Sequence, residues 1–377
     1  MGGAGRVAGT VAGGAASTTV LVRRRPDEDG HDDTNGAAVS SQLARPRVAL
    51  VVNPTKVPDA DALVARVRLR AALAGAPPPL RFDTTVDDPG TGQARDALAR
   101  GADVVIACGG DGTVTACARA VAGSGAALAV LPRGTGNLLA RNLGVPLDTD
   151  GALDAAFAPA RRRVDVLDAG DHEFTVIAGV GFDAALVRET DEGAKGRFGW
   201  LAYVLAAGRA LRSASRRRFQ VTVDGVHTVR AAAVGTLVGN VGTLRGGMTL
   251  FPEARPDDGL LDVLVFAPRG ALQWLSVAWN GLRGRAHRSP HAHTLRGREV
   301  RIVLDEPLPV EFDGDHVGEV SELTVRVRPG VLQVCAPPSG SWPAVSPRPW
   351  GPGILPHPAL GPEAARSELL EAQRRSG

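Results

Sequence analysis

Two glycine-rich segments carry the residue types best suited to binding a phosphorylated ligand. The first glycine loop is residues 109–115, GGDGTVT, and the second glycine loop is residues 132–137, PRGTGN. Glycine allows tight turns and lets main-chain N–H groups approach an anion closely. Each loop follows an apolar run and precedes a helical pattern, so the positive end of a helix dipole faces the same point. The two loops together predict a phosphate-binding site.

Asp111 stands between the glycines of the first loop, where a carboxylate cannot attract phosphate directly. It implies a divalent cation, or a hydrogen-bonded ribose or water; the alternative is a tight strand–helix turn with a capping Asp. In the second loop Thr135 offers a hydroxyl, and Asn137 can cap a helix or hold the loop. Neither segment fits the phosphate-loop template, because Gly-Lys-Ser/Thr is absent, and neither fits the dinucleotide Gly-x-Gly-x-x-Gly template.

The elements that must position these loops alternate between strand and helix up to Pro146. Strands are predicted at residues 48–52, 80–85, 103–107 and 127–131, and helices at 59–74, 91–100, 113–122 and through 142. Alternation of this kind predicts a parallel, helix-covered sheet, in which ligands bind at the carboxyl ends of the strands. Both glycine loops lie at such ends.

After Pro146 the sequence reads as many strands separated by Gly, Pro and Asp. They are predicted at residues 163–169, 173–180, 219–223, 228–238, 261–266, 299–304, 310–312, 323–327 and 332–335, with helices at 198–212 and 271–282. This pattern favours an antiparallel, sandwich-like domain. The predicted fold class is therefore α/β, with an N-terminal parallel α/β domain at residues 46–150 and a β-rich antiparallel domain at 151–336.

Composition excludes several other classes. Residues 1–45 and 337–377 are rich in Gly, Ala, Ser and Pro, so both are predicted to be mainly disordered tails. The net charge of +3 and the absence of nucleic-acid-binding motifs predict no nucleic-acid partner. Three cysteines make neither a disulfide framework nor a zinc pattern. Since no stretch has the ~20 apolar residues of a spanning helix, we expect a cytoplasmic protein, or one peripheral at the inner membrane face.

Several motifs in unbroken order resemble those of the diacylglycerol kinase catalytic-domain family. This family includes bacterial diacylglycerol kinases, related bacterial lipid kinases, and sphingosine and ceramide kinases. The motifs are the two glycine loops, residues 51–54 (VVNP), 179–184 (GVGFDA), 246–252, 257–262 (DDGLLD) and 312–315 (FDGD). The resemblance implies a two-domain ATP-dependent kinase: an ATP-binding α/β domain, a β-rich lipid and metal domain, and an active site in the cleft between them.

The resemblance also implies a set of binding residues. Those that would contact ATP are Thr85, Gly109, Gly110, Asp111, Gly112, Thr113, Val114, Thr115, Gly134, Thr135 and Asn137. Arg255, Asp258 and Leu260 match a Mg²⁺ site, in which Asp258 gives its side chain and the other two give carbonyl oxygens. Oxygen ligands suit a hard cation of this kind. Without the family context, Asp257-Asp258-Gly259 would be read as a hairpin turn.

Asp315 corresponds to the catalytic carboxylate of the family, which is usually Glu, and would accept the proton of the lipid hydroxyl. Glu319 is a weaker alternative base, and Asp313 is a neighbour that could orient the loop instead.

The predicted reaction is phosphorylation of a lipid hydroxyl by ATP with Mg²⁺, converting diacylglycerol to phosphatidic acid. A sphingoid-base or ceramide kinase is the alternative enzyme, and a lipid- or nucleotide-binding protein without catalysis is the alternative of another class. The expected partner is a lipid at the membrane surface, and a homodimer is an open expectation. Leu272, Leu275, Trp279 and Leu282 fall on one helical face followed by arginines, which suits either membrane contact or packing on the β domain.

Overall fold

The computed structural model describes residues 45–181, 216–244, 249–269 and 289–337, together with Gln273, Ser276 and Asn280. The two predicted tails and the predicted helix at residues 198–212 lie outside the described residues. So do the four apolar residues of the predicted helix at 271–282. No helix in the part of the chain described here is long and apolar enough to cross a membrane.

The N-terminal part is a parallel sheet covered by helices, as predicted. Its strands are β1 (Val48–Val52), β2 (Leu80–Asp83), β3 (Val104–Gly109) and β4 (Ala127–Pro132), in the order β2-β1-β3-β4. Every residue of β1, β3 and β4 is buried, as expected for strands covered on both faces. The helices are α1 (Ala60–Leu73), α2 (Thr91–Ala99), α3 (Asp111–Val121), α4 (Leu138–Leu143) and α5 (Thr149–Phe157).

Helix α5 was not predicted from the sequence. Asp148 caps it by accepting a hydrogen bond from the Gly151 N–H at 2.8 Å. Ala152, Leu153 and Ala156 bury one face of the helix in the core of the α/β part. This face consists mostly of alanine, so its hydrophobic periodicity is too weak to stand out in the sequence.

The C-terminal part is rich in antiparallel strands, which confirms the predicted fold class. Its strands are β5 (Arg162–Asp168), β6 (Glu173–Phe174), β7 (Ile177–Val180), β8 (Arg217–Val223), β9 (His227–Ala233), β10 (Gly235–Gly239), β11 (Leu261–Phe266), β12 (Ala292–Gly297), β13 (Glu299–Phe312) and β14 (Asp315–Val334). A second hydrophobic core, which contains Phe174, Phe219 and Phe312, lies between these strands.

The long strand β14 connects the two parts of the structure. Its beginning forms a hairpin with β13, and its end pairs in parallel with β4 through Gln333 and Val334. The described strands therefore form one hydrogen-bonded sheet that runs from β12 to β2. This connection places the β13–β14 hairpin in the same structural unit as the glycine loops.

The predicted strand at residues 173–180 is interrupted at Thr175 and Val176. The N–H groups of these two residues donate to the carboxylate of Asp313 instead of to a neighbouring strand. Strands β13 and β14, by contrast, are each continuous where the sequence predicted two shorter pieces. In β13, register shifts in the pairing with β14 absorb the residues between the two predicted pieces. In β14, the shift lies in the pairing with β5, between Arg328 and Leu332.

Candidate functional site

The two glycine loops lie side by side at the carboxyl ends of β3 and β4, where Gly109 pairs with Pro132. A Cβ atom on Gly134 would lie 2.8 Å from the Cα of Gly110, which is closer than real Cβ atoms come. A side chain at position 134 would therefore push the loops apart. The glycine at this position is required by the contact between the loops, in addition to any ligand.

Asp111 ties the two loops together. Its carboxylate accepts hydrogen bonds from the N–H groups of Asn137 (3.0 Å) and Leu138 (2.6 Å), the N-cap and the first residue of α4. Asn137 holds the second loop from within: its side chain accepts from the Gly134 N–H at 2.9 Å and donates to the Gly134 carbonyl at 2.8 Å. Asn137 adopts a left-handed backbone with φ of 49°, which Asn tolerates better than most residues.

Two further predicted residues lie at the same edge of the sheet. Asn53, after β1, donates to the hydroxyl of Thr113 at 3.3 Å and thereby links a third strand end to the first glycine loop. Thr85 follows β2 and is exposed; its hydroxyl accepts from the Asp88 N–H at 3.0 Å. Thr85 bonds to Asp88 in the turn that leads into α2, and no hydrogen bond of the described residues joins it to the glycine loops.

The start of α3 offers main-chain donors to a ligand. The first turn of a helix has N–H groups without intrahelical acceptors, and the N-cap residue of α3 is Gly110, which has no side chain to cap them. Gly112 and Thr135 are exposed beside this turn, whereas Val114 and Thr115 are buried. The exposed positions can contact a triphosphate directly. The buried ones have no access to a ligand in this structure and can affect its binding only by holding the helix in place.

Asp313, in the turn between β13 and β14, is bound by several donors. Its carboxylate accepts from the hydroxyl of Thr115 at 2.8 Å and from the N–H groups of Thr175, Val176 and Ile177 at 2.9–3.0 Å. Burial raises the pKa of the Asp313 carboxyl, and these hydrogen bonds act in the opposite direction. The carboxylate thus joins α3 to the segment between β6 and β7.

Asp315, the predicted base, begins β14 and pairs with Phe312 across the hairpin. It is exposed, and only Gly314 separates it from Asp313. Its Cα therefore lies within roughly 7 Å of the Cα of Asp313, whose carboxylate is bound to Thr115 of α3. Glu319 is also exposed but pairs with Pro309, farther along the hairpin.

The predicted metal ligands Arg255, Asp258 and Leu260 belong to the turn before β11. One carboxylate oxygen of Asp258 accepts from the Leu260 N–H at 3.1 Å, and the other is bound by the guanidinium of Arg296 on β12. Arg296 also donates to the carbonyl of Glu253 at 3.2 Å and lies 3.5 Å from the carboxylate of Asp262. A cation therefore already neutralises Asp258.

This donor set does not fit a divalent metal ion while Arg296 holds its place. Among the described residues, no group of three or more His, Cys, Asp or Glu side chains could hold a metal ion. Burial raises the pKa of the Asp258 carboxyl against the effect of Arg296, and burial raises the pKa of Asp262 to about 7. The Mg²⁺ assignment for this segment remains a prediction.

Sequence reasoning did not find the linking roles of Asp313, Thr175 and Arg296. Asp313 was expected only as a neighbour of Asp315 that could orient the loop, without its partners on α3 and near β7. Thr175 sits inside an apolar run that predicts an uninterrupted strand, and Arg296 is one arginine among many. An Asp-Gly pair at a hairpin tip was the available signal for Asp313, but the sequence does not tell whether its side chain points inward.

Comparisons with known proteins agree with this architecture. Residues 47–169 match the diacylglycerol kinase catalytic domain, and residues 175–336 match the YegS C-terminal NAD kinase beta sandwich-like domain. A Pseudomonas putida protein named probable lipid kinase YegS-like is 33% identical over 248 residues, which cover 64% of this chain and 80% of that protein. The diacylglycerol kinase of Bacillus subtilis is 28% identical over 238 residues, covering 62% and 78%.

The length of the match differs among relatives. An uncharacterized protein of Synechocystis is 29% identical over 250 residues, but the chain spans just over half of it, 56%. A solved structure of a diacylglycerol kinase from Bacillus anthracis superposes with a TM-score of 0.58 at 22% identity, covering 78% of this chain and 97% of that one. At this identity the superposition supports the fold alone.

Proposed function

Since the chain belongs to the diacylglycerol kinase catalytic-domain family, whose members are ATP-dependent kinases, we propose that it phosphorylates the hydroxyl of a diacylglycerol-like lipid. The observation that carries the proposal is that α3 belongs to the first glycine loop and also bonds to the β13–β14 turn. The N-terminus of this helix forms the first glycine loop, and Thr115 on the same helix bonds to Asp313 beside Asp315. The candidate phosphate-binding loop and the turn that precedes the candidate base are thus joined through one helix.

The glycine loops supply the binding of ATP. Main-chain N–H groups at the start of α3 and the exposed residue Thr135 are available at the edge where a triphosphate would lie. ATP enters as its Mg²⁺ complex, so the cation is part of the substrate. Asp111 and Asn137 keep the two loops at a fixed separation, and this preorganisation lowers the entropy cost of binding.

Asp315 supplies the acid–base step. As the oxygen of the lipid hydroxyl bonds to the γ-phosphorus, the bond from that phosphorus to the β–γ bridging oxygen breaks and ADP leaves. The proton of the hydroxyl passes to the Asp315 carboxylate. Because phosphoryl transfer asks the protein mainly for positioning and charge neutralisation, the distance between Asp315 and the loops matters as much as its basicity.

The substrate class is tested with purified full-length protein, labelled ATP and mixed micelles that each contain one lipid. Diacylglycerol is expected to yield phosphatidic acid, and triacylglycerol, which lacks a free hydroxyl, is the matched control. Labelled product from sphingosine or ceramide, but not from diacylglycerol, would reassign the chain to the sphingoid-base alternative. ATP binding without any labelled lipid would support the binding protein instead.

The same proposal places the chain at a membrane surface, where its acceptor lipid resides. Co-sedimentation with vesicles of neutral and of anionic phospholipid measures this contact directly. Binding to vesicles is expected to increase when diacylglycerol is included, and its absence in all mixtures would favour a soluble acceptor.

A further inference from the structure

Asp313 makes two kinds of contact that belong to different parts of the fold. Its Oδ2 accepts from the Thr115 hydroxyl of α3 at 2.8 Å, although the two residues are 198 positions apart in the sequence. Its Oδ1 accepts from the N–H groups of Val176 and Ile177, both at 2.9 Å, next to β7. One carboxylate therefore joins the helix of the first glycine loop to the β-rich part.

The turn that contains Asp313 is fixed in its backbone as well. Asp313 and Gly314 both have positive φ, 52° and 93°, as in the tight turns that join antiparallel strands. The Asp313 N–H donates to the Ile177 carbonyl at 2.8 Å. With both backbone and side chain bound, the turn has little freedom to place Asp315 elsewhere.

Thr115 is placed to link α3 to Asp313 rather than to contact a nucleotide. It is only 3% exposed, is the last residue of the first glycine loop, and lies in the second turn of α3, about one turn after Asp111. Its hydroxyl donates a hydrogen bond to the Asp313 carboxylate. This hydrogen bond is the direct link from α3 to the β13–β14 turn, beside the bond from Arg119 of α3 to the Glu173 carbonyl of β6.

We propose that Thr115 and Asp313 are positioning residues that couple occupation of the first glycine loop to the placement of Asp315. The inference rests on the proposed kinase function and assigns to Thr115 a role other than nucleotide contact. Loss of the link leaves ATP binding intact and misplaces the base. A displacement of about 1 Å at a reacting group can cost up to about 100-fold in rate.

The kinetic test uses Thr115→Val, which keeps the shape of the side chain and removes the hydroxyl donor. The matched control is Thr175→Val, whose hydroxyl lies 3.4 Å from the same Asp313 oxygen but on the β-rich side. Thr115→Val is expected to lower kcat at least tenfold with KM for ATP within about threefold. Thr175→Val should change both by less, and Thr115→Ser should restore most of kcat.

Two kinetic results overturn the proposal. If Thr115→Val raises KM for ATP and leaves kcat unchanged, Thr115 is a nucleotide contact, as the sequence alone suggested. If Thr175→Val lowers kcat as much as Thr115→Val does, the carboxylate supports the fold on all sides equally and carries no specific coupling to α3.

Hydrogen exchange of the hairpin amides, residues 313–318, tests the coupling without any lipid. Mg²⁺ and ATP should slow this exchange in the unmodified protein and in Thr175→Val, but not in Thr115→Val. Unchanged exchange in the unmodified protein overturns the coupling, even if a variant fails to fold. If exchange responds as expected but no lipid is phosphorylated, the coupling stands and the proposed function fails.

Discussion

Two Asp-Gly turns in the β-rich part have the same residues and opposite surroundings. Asp313-Gly314 closes the β13–β14 hairpin, and its carboxylate accepts from a hydroxyl and three main-chain N–H groups. Asp258-Gly259 precedes β11, and its carboxylate is bound by the Arg296 guanidinium and the nearby Leu260 N–H. The first carboxylate connects distant segments through neutral donors, whereas the second is neutralised by a charge on a neighbouring strand.

The difference between neutral donors and a guanidinium gives the two turns different expected roles. Neutral donors hold a carboxylate at a fixed point without adding a counter-charge, which suits a joint between separate segments. A guanidinium cancels that charge and competes with any divalent cation for the same oxygen atoms. We therefore expect the Asp313 turn to govern turnover and the Asp258 turn to govern local stability.

The largest effect should come from Asp315, which the Asp313 turn positions. Asp315→Asn keeps the size of the side chain and removes the charge that accepts a proton, so kcat should fall about 10²–10⁴-fold. ATP affinity, measured by direct titration, should be retained because the glycine loops are untouched. Asp315→Glu should keep substantial activity, since Glu is the usual residue of the family.

Glu319→Gln is the matched control for this prediction, as it removes an exposed carboxylate farther along the same strand. If Glu319→Gln loses activity and Asp315→Asn does not, the base has been misassigned. The expectation that the Asp313 turn governs turnover would then be wrong.

Asp111→Ala extends the comparison to a carboxylate that also binds main-chain N–H groups. It removes the acceptor for Asn137 and Leu138, so the second glycine loop loses its attachment to the first. Turnover should fall by about 100-fold or more, and unfolding free energy should fall by about 1 kcal/mol, the usual cost of a lost helix cap. Kinetics and chemical denaturation measure the two effects separately.

Asp111→Ala with normal turnover in saturating ATP would remove the loop from the mechanism. A loss of turnover without any loss of stability would indicate that Asp111 acts on the nucleotide complex more than on the second loop.

Gly134→Val tests the contact between the loops at a position without charge. The new side chain would meet the Gly110 Cα and the Asn137 carboxamide, so the loops must separate. Overpacking of this kind costs about 1–3 kcal/mol, and ATP affinity should fall about tenfold. Isothermal titration with an ATP analogue gives the affinity, and unchanged affinity in a folded variant would contradict the expectation.

Gly112→Ala serves as the comparison for stability. A Cβ atom at this position meets nothing within 4 Å, so its melting temperature should stay close to that of the unmodified protein. A large loss of stability there would show that backbone freedom, not steric contact, is what the loop glycines provide.

The arrangement of elements was predictable because the apolar runs and the residues that typically end them agree in this chain. The buried runs in β1, β3 and β4 are continuous and apolar, and each ends at a Gly, Pro or Asn that marks the loop. Helix α5 and the break at Thr175 and Val176 were not predictable from local pattern. The first is mostly alanine, and the second depends on a carboxylate about 137 residues away.

In the candidate site, too, contacts between residues distant in the sequence were not predictable. The glycine loops follow from local sequence, because glycine, Asp111 and Asn137 all act within or between adjacent strand ends. The partner of Asp258 does not, since Arg296 lies 38 residues later on a strand that the sequence did not predict. A motif therefore predicted the position of this turn but not the charge that faces it.

The smallest effect on turnover is expected at the Asp258 turn, and it decides between the two readings of that turn. The resemblance predicts that Asp258→Ala raises the Mg²⁺ concentration needed for activity. The structure predicts instead that the midpoint of a Mg²⁺ titration stays nearly unchanged, because Arg296 already occupies the carboxylate. Asp258→Ala should lower unfolding free energy by about 1–3 kcal/mol, the cost of leaving a largely buried charge poorly paired.

Arg296→Met is the matched partner variant. If the guanidinium stabilises this turn, Arg296→Met should lower the free energy of unfolding to a similar degree. The double variant Asp258→Ala/Arg296→Met should be no less stable than either single variant, since the ion pair is lost in all three. If Arg296 merely fills a place that Mg²⁺ takes when present, Mg²⁺ should raise the melting temperature of the unmodified protein and of Arg296→Met, but not that of Asp258→Ala. Melting curves with Mg²⁺ and with a chelator distinguish these outcomes without an activity assay.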